Sequence, residues 1–231
     1  MKPHIRYTTL TGADDSVHPS DLLKLSERFR RVEFGILFSE SRTGQPRYPT
    51  AEWVWWLLDH SDQLQLSAHL CGKSLTRYAS NADKYWNQVL HGGFKRIQLN
   101  MNWQRMDASV RRCISMRIWE NPQIQYIVQY NQANHDAFKY FADAPNVAIL
   151  FDASGGRGTE IGRLPRPIPG YFCGYAGGLS PQNIDQKVRE LESVVGPGAT
   201  WLDMETGVRT KERFDLNKAR AVLNAVWRAS A

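Results

Sequence analysis

The chain has 231 residues, 42% of them hydrophobic and 23% charged. This composition supports a sizeable buried core and excludes intrinsic disorder. The sequence shows neither an apolar run of membrane-spanning length nor a signal-peptide pattern, so we expect a cytoplasmic protein without a membrane segment. Three widely spaced cysteines without a CxxC pair favour neither a disulfide framework nor a zinc site. We therefore expect no metal and no cofactor.

The formal net charge is +6, with a pI near 9.3, which favours an anionic partner. The basic pairs at 30–31, 95–96 and 111–112 are short and scattered, and no RNA-binding aromatic signature accompanies them. A small phosphorylated molecule is therefore the expected ligand, and nucleic acid is not favoured.

Eight short apolar segments, rich in branched and aromatic residues, predict strands that are buried on both faces. In chain order they are HIRYTT (4–9), VEFGILF (32–38), LQLSAHL (64–70), FKRIQLN (94–100), IQYIVQY (124–130), NVAILFD (146–152), YFCGYA (171–176) and ATWLDM (199–204).

Helical patterns separate most of these strands, at 19–31, 49–60, 74–90, 104–119, 132–142, 180–195 and 215–229. Ser20, Thr50 and Ser180 are the predicted amino-terminal caps of three of them. Only the segment GRLPRPIPG (162–170), between the sixth and seventh strands, is too rich in proline to be helical. The tryptophans of the second helix, Trp53, Trp55 and Trp56, predict helix packing, and one ring could serve as a homodimer contact.

Alternating strands and helices predict parallel βαβ units. Eight such units in a chain of this length favour a single (β/α)8 TIM barrel over residues 1–231. The alternative is an open doubly wound sheet, which normally carries a glycine-rich fingerprint after its first strand. Here the corresponding segment, TTLTGADDS, holds one glycine, so the closed barrel is the prediction.

In such barrels the reactive groups follow the carboxyl ends of the strands. Asp152 closes the sixth strand and is followed by Gly155, Gly156 and Arg157. This aspartate is either a catalytic carboxylate at a strand mouth or the first residue of a polar turn. Other polar candidates at strand ends are Thr8, Thr9, Thr11, Ser39, Glu40, Arg47, His69, Cys71, Asn100, Asn102, Gln129, Asn131, Ser154, Glu205 and Thr206.

Two glycine-containing turns follow the last two predicted barrel strands. AGGLSPQNI (176–184) places paired glycines before a helix, and METGVR (204–209) places a small turn after the eighth strand. Glycine lets the backbone approach a ligand, and the N–H groups at a helix start favour an anion. Because barrels commonly hold phosphate at these two loops, we expect a phosphate site. The alternative is that the glycines serve turn geometry only.

Taken together, these segments resemble the phosphoribosylanthranilate isomerase family along the whole chain. The turns AGGLSPQNI and LDMETGVR (202–209) are similar to the family's AGGLTPxNV and VDVSSGVE. The remaining similarities, in chain order, are IRYTTLTGADD (5–15) with VKICGITxxxD, FGILFSESRTGQPRY (34–48) with GFxFxxxSPRY, IQLN (97–100) with VQLH, and FDASGGRG (151–158) with DxxxGGTG.

The resemblance implies a role for each matching position. Asp152 falls on the family's general acid, and Arg47 falls on the arginine that contacts the anthranilate end of the substrate. The glycines of the two turns fall on the phosphate site. The candidate site set is completed by catalytic Thr8, substrate-binding Arg157 and Asn100, and phosphate-binding Gly177, Gly178, Thr206 and Gly207.

The chain departs from the family where the general base should stand. The family's cysteine is replaced by Thr8, and a hydroxyl does not titrate near neutral pH. His69 and Cys71 on the third strand are either packed core or a source of a replacement base, and Glu205 is a further candidate. Glu205 also stands where it would repel phosphate unless it is protonated or turned away.

Two functions remain open at this point. One is an isomerase that performs an Amadori-type rearrangement of a phosphorylated aminosugar with Asp152 as general acid, and this is the favoured one. The alternative is a barrel that binds a phosphoribosyl or phosphate ligand without this chemistry. Eight tryptophans argue against a housekeeping role in tryptophan synthesis.

Overall fold

The computed structural model describes residues 2–82, 84–152 and 162–230. Eight parallel strands form a closed barrel in chain order, which confirms the predicted fold. The strands are β1 His4–Thr11, β2 Val32–Phe38, β3 Leu66–Cys71, β4 Arg96–Asn100, β5 Gln125–Tyr130, β6 Val147–Asp152, β7 Phe172–Ala176 and β8 Ala199–Met204.

Eight helices are described: α1 Pro19–Arg28, α2 Ala51–Leu58, α3 Lys73–Ala79, α4 Lys84–His91, α5 Ala108–Glu120, α6 Ala137–Tyr140, α7 Ile184–Val194 and α8 Leu216–Ser230. The single helix predicted over 74–90 is in fact two, α3 and α4. The helix predicted over 132–142 is reduced to the one turn of α6. A short hairpin, β9 Arg209–Thr210 with β10 Arg213–Phe214, precedes α8.

The amino-terminal cap predicted from the sequence is observed at α2 but not at α1 or α7. Thr50 caps α2 as predicted, because its side chain accepts from the N–H of Trp53. The cap of α1 is His18 rather than Ser20, and its ring accepts from the Ser20 N–H. The cap position of α7 is Asn183 rather than Ser180, so the segment after the paired glycines is a turn before it becomes a helix.

The alternation of β1 decides which of its threonines face the barrel interior. Thr9 and Thr11 donate hydrogen bonds to the interior carboxylates Glu33 and Asp203, each at 2.7 Å. Because successive side chains of a strand point to opposite faces, Thr8 lies on the outer face. It lines a cleft with Phe29 of the α1 end.

The amino-terminal end of the barrel interior is filled by a buried ion pair among aromatic rings. Arg96 Nη1 donates to Glu33 Oε1 at 2.7 Å, and both side chains are almost fully buried. The guanidinium carbon lies 4.6 Å from the centroid of Tyr7 and 4.4 Å from that of Trp201. The cavity that holds the candidate site lies at the opposite, carboxyl-terminal end of the strands.

Candidate active site

The cavity at the carboxyl ends of the strands gathers side chains and backbone from most of the barrel. It is lined by Thr11, Leu37, His69, Gln98, Asn100, Gln129, Leu150, Asp152, Ala176, Gly177, Gly178, Leu179, Asp203, Met204, Glu205, Thr206 and Gly207. Three of these residues are carboxylic acids, and none of the described lining residues is a lysine or arginine. The cavity is therefore acidic, with amide groups as its neutral polar complement.

Asp152 lies in this cavity, at the last position of β6, and is buried. Gln129, one strand away, donates from Nε2 to Asp152 Oδ2 at 3.1 Å. The amide fixes the orientation of the carboxyl group without neutralising it. Asp152 is thus a strand-mouth carboxyl that faces the cavity, as the sequence predicted, and not a turn residue on the surface.

Asp203 is a second carboxyl in the cavity, and the sequence analysis did not single it out. It lies on β8, and its Oδ1 accepts from Thr11 Oγ1 at 2.7 Å. Burial raises the pKa of Asp203 to about 8, and the charges of Glu33, Asp152 and Glu205 add to the rise against the lowering by Thr11. Asp203 can therefore gain or lose a proton close to neutral pH.

His69 is a lining residue whose ring is kept neutral. Burial, assisted by the charge of Arg96, lowers its pKa to about 3, so it cannot act as an effective base near neutral pH. Its Nε2 is buried without a partner in the described structure. The ring is accommodated by Gly35, since a Cβ there would lie 2.9 Å from His69 Nε2 and 2.3 Å from Thr11 Oγ1.

Amides rather than charged groups occupy the β4 side of the cavity. Gln98 Nε2 donates to Asn100 Oδ1 at 2.8 Å, and Asn100 Nδ2 lies 3.1 Å from Cys71 Sγ. Cys71 itself is not a lining residue, and burial raises the pKa of its thiol. It is therefore a poor candidate for the missing thiolate, while Asn100 is placed to bind a ligand hydroxyl.

The two glycine turns meet at the mouth. Gly177 and Gly178 have φ values of 107° and 65°, which side chains with a Cβ rarely adopt. Gly207 packs so closely on the other turn that a Cβ would lie 1.9 Å from Leu179 O. Asn183 fixes the first turn, accepting from the Ser180 N–H and donating to Gly178 O, both at 2.9 Å.

The predicted site residue Arg47 sits at the rim and binds Glu205. Its Nη1 donates to Glu205 Oε1 at 2.6 Å, with the two side chains 28% and 23% exposed. Burial raises the pKa of Glu205, and Arg47 opposes that rise. Arg47 does not line the cavity itself; Glu205 stands between its guanidinium and the interior.

Behind the rim, Asp14 links the loops after β1, β2 and β8. Its Oδ2 accepts from the backbone N–H of Arg47 at 2.5 Å and from Arg209 Nη2 at 2.8 Å. Arg209 is almost fully buried and also donates to Gly12 O and Glu212 O. Asp14 therefore holds these three loops together.

The structure corrects the placement of the catalytic candidate Thr8. Its side chain faces the helices outside the barrel, so it cannot contact a ligand in the cavity. The reason is the alternation of β1, whose inward positions are Thr9 and Thr11. Thr206 and the glycines of both turns do line the cavity, while Arg157 and Ser154 lie outside the described residues.

Sequence reasoning did not single out Asp203 or the pairing of Glu205 with Arg47, and it included Thr11 only among the polar residues at strand ends. The alternation of side chains along β8 could have indicated that Asp203 faces the barrel interior. Among described residues, no group of three or more His, Cys, Asp or Glu could hold a metal ion. Over the same ranges, no helix is long and apolar enough to cross a bilayer.

The fold and cavity define a (β/α)8 barrel with paired carboxyls and a glycine-rich mouth at the carboxyl ends of its strands. A family model, N-(5'phosphoribosyl)anthranilate (PRA) isomerase, matches residues 114–225. No curated protein matches the chain. The match to the PRA isomerase family model is thus confined to the carboxyl-terminal part of the chain and covers just under half of it.

Solved structures resemble the chain over its full length. The phosphoribosyl anthranilate isomerase from Thermotoga maritima is 13% identical, with a TM-score of 0.58 over 96% of this chain and 98% of that one. The corresponding enzyme from Pyrococcus furiosus is 14% identical, with a TM-score of 0.55 over 97% and 100%. A Rubisco from Pyrococcus horikoshii is 13% identical, with a TM-score of 0.56 over 97% and 59%. At these identities the likeness concerns the fold.

Proposed function

We propose that this protein isomerises a phosphorylated aminosugar by an Amadori-type rearrangement, with Asp152 as general acid and Asp203 as general base. The observation that carries the proposal is the placement of these two buried carboxyls in one cavity at the barrel mouth. The relation to the PRA isomerase family supports the reaction class.

The reaction makes no net change in atoms, and two of its proton transfers, at the ring oxygen and at C2, are assigned here to the two carboxyls. Asp152 gives a proton to the ring oxygen of the aminosugar, the ring opens, and an iminium cation forms at C1. A base then removes the proton from C2, and the resulting enolamine becomes the ketone as C1 takes up a proton and the C2 hydroxyl releases one. Asp203 suits the second step because a raised pKa makes its ionised form a stronger base, and a pKa near the working pH favours general acid–base catalysis.

The remaining lining residues suit this path. Positive charge develops on the nitrogen after ring opening, and an acidic cavity stabilises it where few water molecules screen the charges. Gln98 and Asn100 offer amide groups for sugar hydroxyls. No described lysine or arginine in the lining would oppose the cation.

The phosphate is assigned to the two glycine turns. The backbone at Gly177, Gly178 and Gly207 is open to close approach, and Thr206 adds a hydroxyl. The charge of Glu205 next to this turn is balanced by Arg47. Asp203, with its pKa of about 8, is mostly neutral at pH 7. The mouth therefore carries less negative charge, and repels an anion less, than its three carboxyls suggest.

A ligand-binding barrel without catalysis is the second candidate. It is favoured by one observation: no thiol lines the cavity among the described residues, and Thr11 occupies the inward position at the end of β1. Such a protein would keep the phosphate site and bind phosphoribosyl compounds outside tryptophan synthesis.

The test mixes ribose 5-phosphate with an amine in D2O and follows by NMR the loss of the substrate's C2 proton and the uptake of one deuteron at C1 of the product. We expect turnover by the wild type, with kcat/KM rising with pH up to about 8 as Asp203 ionises. Asp152→Asn and Asp203→Asn should each lower kcat by two to four decades, while Asp62→Asn, at an exposed carboxyl, should not. A rate that falls as pH rises through 8 would reverse the roles of acid and base. Binding of phosphate ligands with no turnover for any amine would instead support the second candidate.

A further inference from the structure

We propose that, apart from its phosphate, the ligand of this barrel carries no acidic group: the amine substituent of the aminosugar is neutral or cationic. The inference rests on the proposed function for the location of the phosphate. It is drawn from the ion pair between Arg47 and Glu205 and from the charges of the cavity lining.

The first step concerns the cation at the rim. Arg47 reaches the cavity only through Glu205, whose Oε1 it holds at 2.6 Å. Its backbone is fixed as well, since its N–H binds Asp14 at 2.5 Å and its φ is 78°. A ligand carboxylate in the cavity would therefore have to compete with Glu205 for Arg47.

The second step concerns the cost of that displacement. Glu205 would remain in a poorly solvated position, facing the carboxyls of Asp152 and Asp203 without its counter-charge. Burial and Asp152 already raise the pKa of Glu205, and Arg47 is the strongest influence that lowers it. Removing one partner of a largely buried pair leaves an uncompensated charge, which is strongly unfavourable.

The third step concerns other cations. Arg209, the nearest alternative behind the rim, is buried and committed to Asp14 and to the backbone oxygens of Gly12 and Glu212. The described lining holds no lysine or arginine. Over the described residues, a second acidic group on the ligand would therefore face carboxyls with no lining cation to receive it, whereas an uncharged or cationic substituent would not meet this repulsion.

A matched pair of stable ligands tests this inference without requiring turnover. Reductive amination of ribose 5-phosphate with 2-aminobenzamide or with 2-aminobenzoate gives two compounds of nearly the same shape that differ by one negative charge. Calorimetry on the full chain then measures both dissociation constants. We expect the wild type to bind the amide compound at least about tenfold more tightly.

The variants identify the cause of this preference. Glu205→Gln should reduce the preference or reverse it, because it frees Arg47 for the carboxylate. Adding Arg47→Gln to that variant should abolish the gain. Glu40→Gln is the matched control, because Glu40 forms a more exposed pair with Arg77, at 3.2 Å, and it should leave the ratio unchanged.

The outcomes separate this inference from the proposed function. Equal or tighter binding of the carboxylate compound by the wild type, or an unchanged ratio in Glu205→Gln, overturns the inference even if the protein is an isomerase. A preference for the amide compound without any turnover overturns the isomerase and leaves the inference standing as a binding specificity. If neither compound binds, both are overturned.

Discussion

Replacing the buried carboxyl of Asp203 by an amide should stabilise the protein, and the gain should depend on pH. Asp203→Asn keeps an oxygen that can accept from Thr11 Oγ1 and has nearly the same volume, so the packing is preserved. It removes only the group's ability to ionise. The change therefore separates the energetic cost of this carboxyl from its catalytic role.

The size of the gain follows from the pKa of about 8 in the folded protein against 3.8 for the ordinary group. Below pH 4 both the folded and the unfolded chain hold the proton, and Asp203 contributes no pH dependence. Between pH 4 and 8 the unfolded chain has released a proton that the folded chain retains, so wild-type stability falls by up to roughly 1.4 kcal/mol per pH unit. At pH 7 the difference is on the order of 4 kcal/mol, and above 8 it stays constant.

Urea unfolding of both proteins at pH 5, 6, 7 and 8 measures this difference directly. The free energy of unfolding of Asp203→Asn minus that of the wild type should grow across the series. Asp62→Asn, at an exposed carboxyl, should show no such growth. A difference that stays flat from pH 5 to 8 would refute the reasoning, because it would mean that Asp203 ionises in the folded protein at its ordinary pKa.

Three further substitutions test the packing around the cavity. Gly35→Ala places a Cβ 2.3 Å from Thr11 Oγ1, and urea unfolding should show a loss of about 1–3 kcal/mol; an unchanged midpoint would contradict the close approach. Arg209→Met leaves the buried Asp14 without its counter-charge and should cost about 3–5 kcal/mol by the same measurement, whereas a loss below about 1 kcal/mol would mean that Asp14 is solvated. Gly207→Ala should weaken the thermal stabilisation given by millimolar phosphate, since its Cβ would meet the neighbouring turn at 1.9 Å; full stabilisation would remove this turn from the phosphate site.

The barrel could be predicted from the sequence because its strands and helices are encoded locally. Each strand is a short apolar segment between helical patterns, and every predicted strand is present with ends shifted by at most two residues. Asp152 was found for the same reason, since it ends such a segment. The glycines at 177 and 178 were found because few residues other than glycine tolerate those backbone angles.

The rest depends on contacts that the sequence does not encode locally. Thr8 was preferred over Thr11 because the family resemblance matches sequence positions without showing which side chains point into the barrel. A shift by an odd number of residues along a strand exchanges the inner and outer faces. In the sequence, Asp203 is one polar residue within an apolar strand. Only the closed barrel shows that it lines the cavity. Arg209 and Asp14 are 195 positions apart, and their pairing appears only in three dimensions.

The clasp that Asp14 forms with Arg209 bears on how the two ends of this chain depend on each other. The segment that carries the recognisable family pattern, 114–225, contains Arg209 but not its counter-charge. If that segment were produced alone as a half-barrel, the guanidinium of Arg209 would be buried without the carboxylate of Asp14. The segment that matches the family model is thus electrostatically incomplete without the amino-terminal part of the chain.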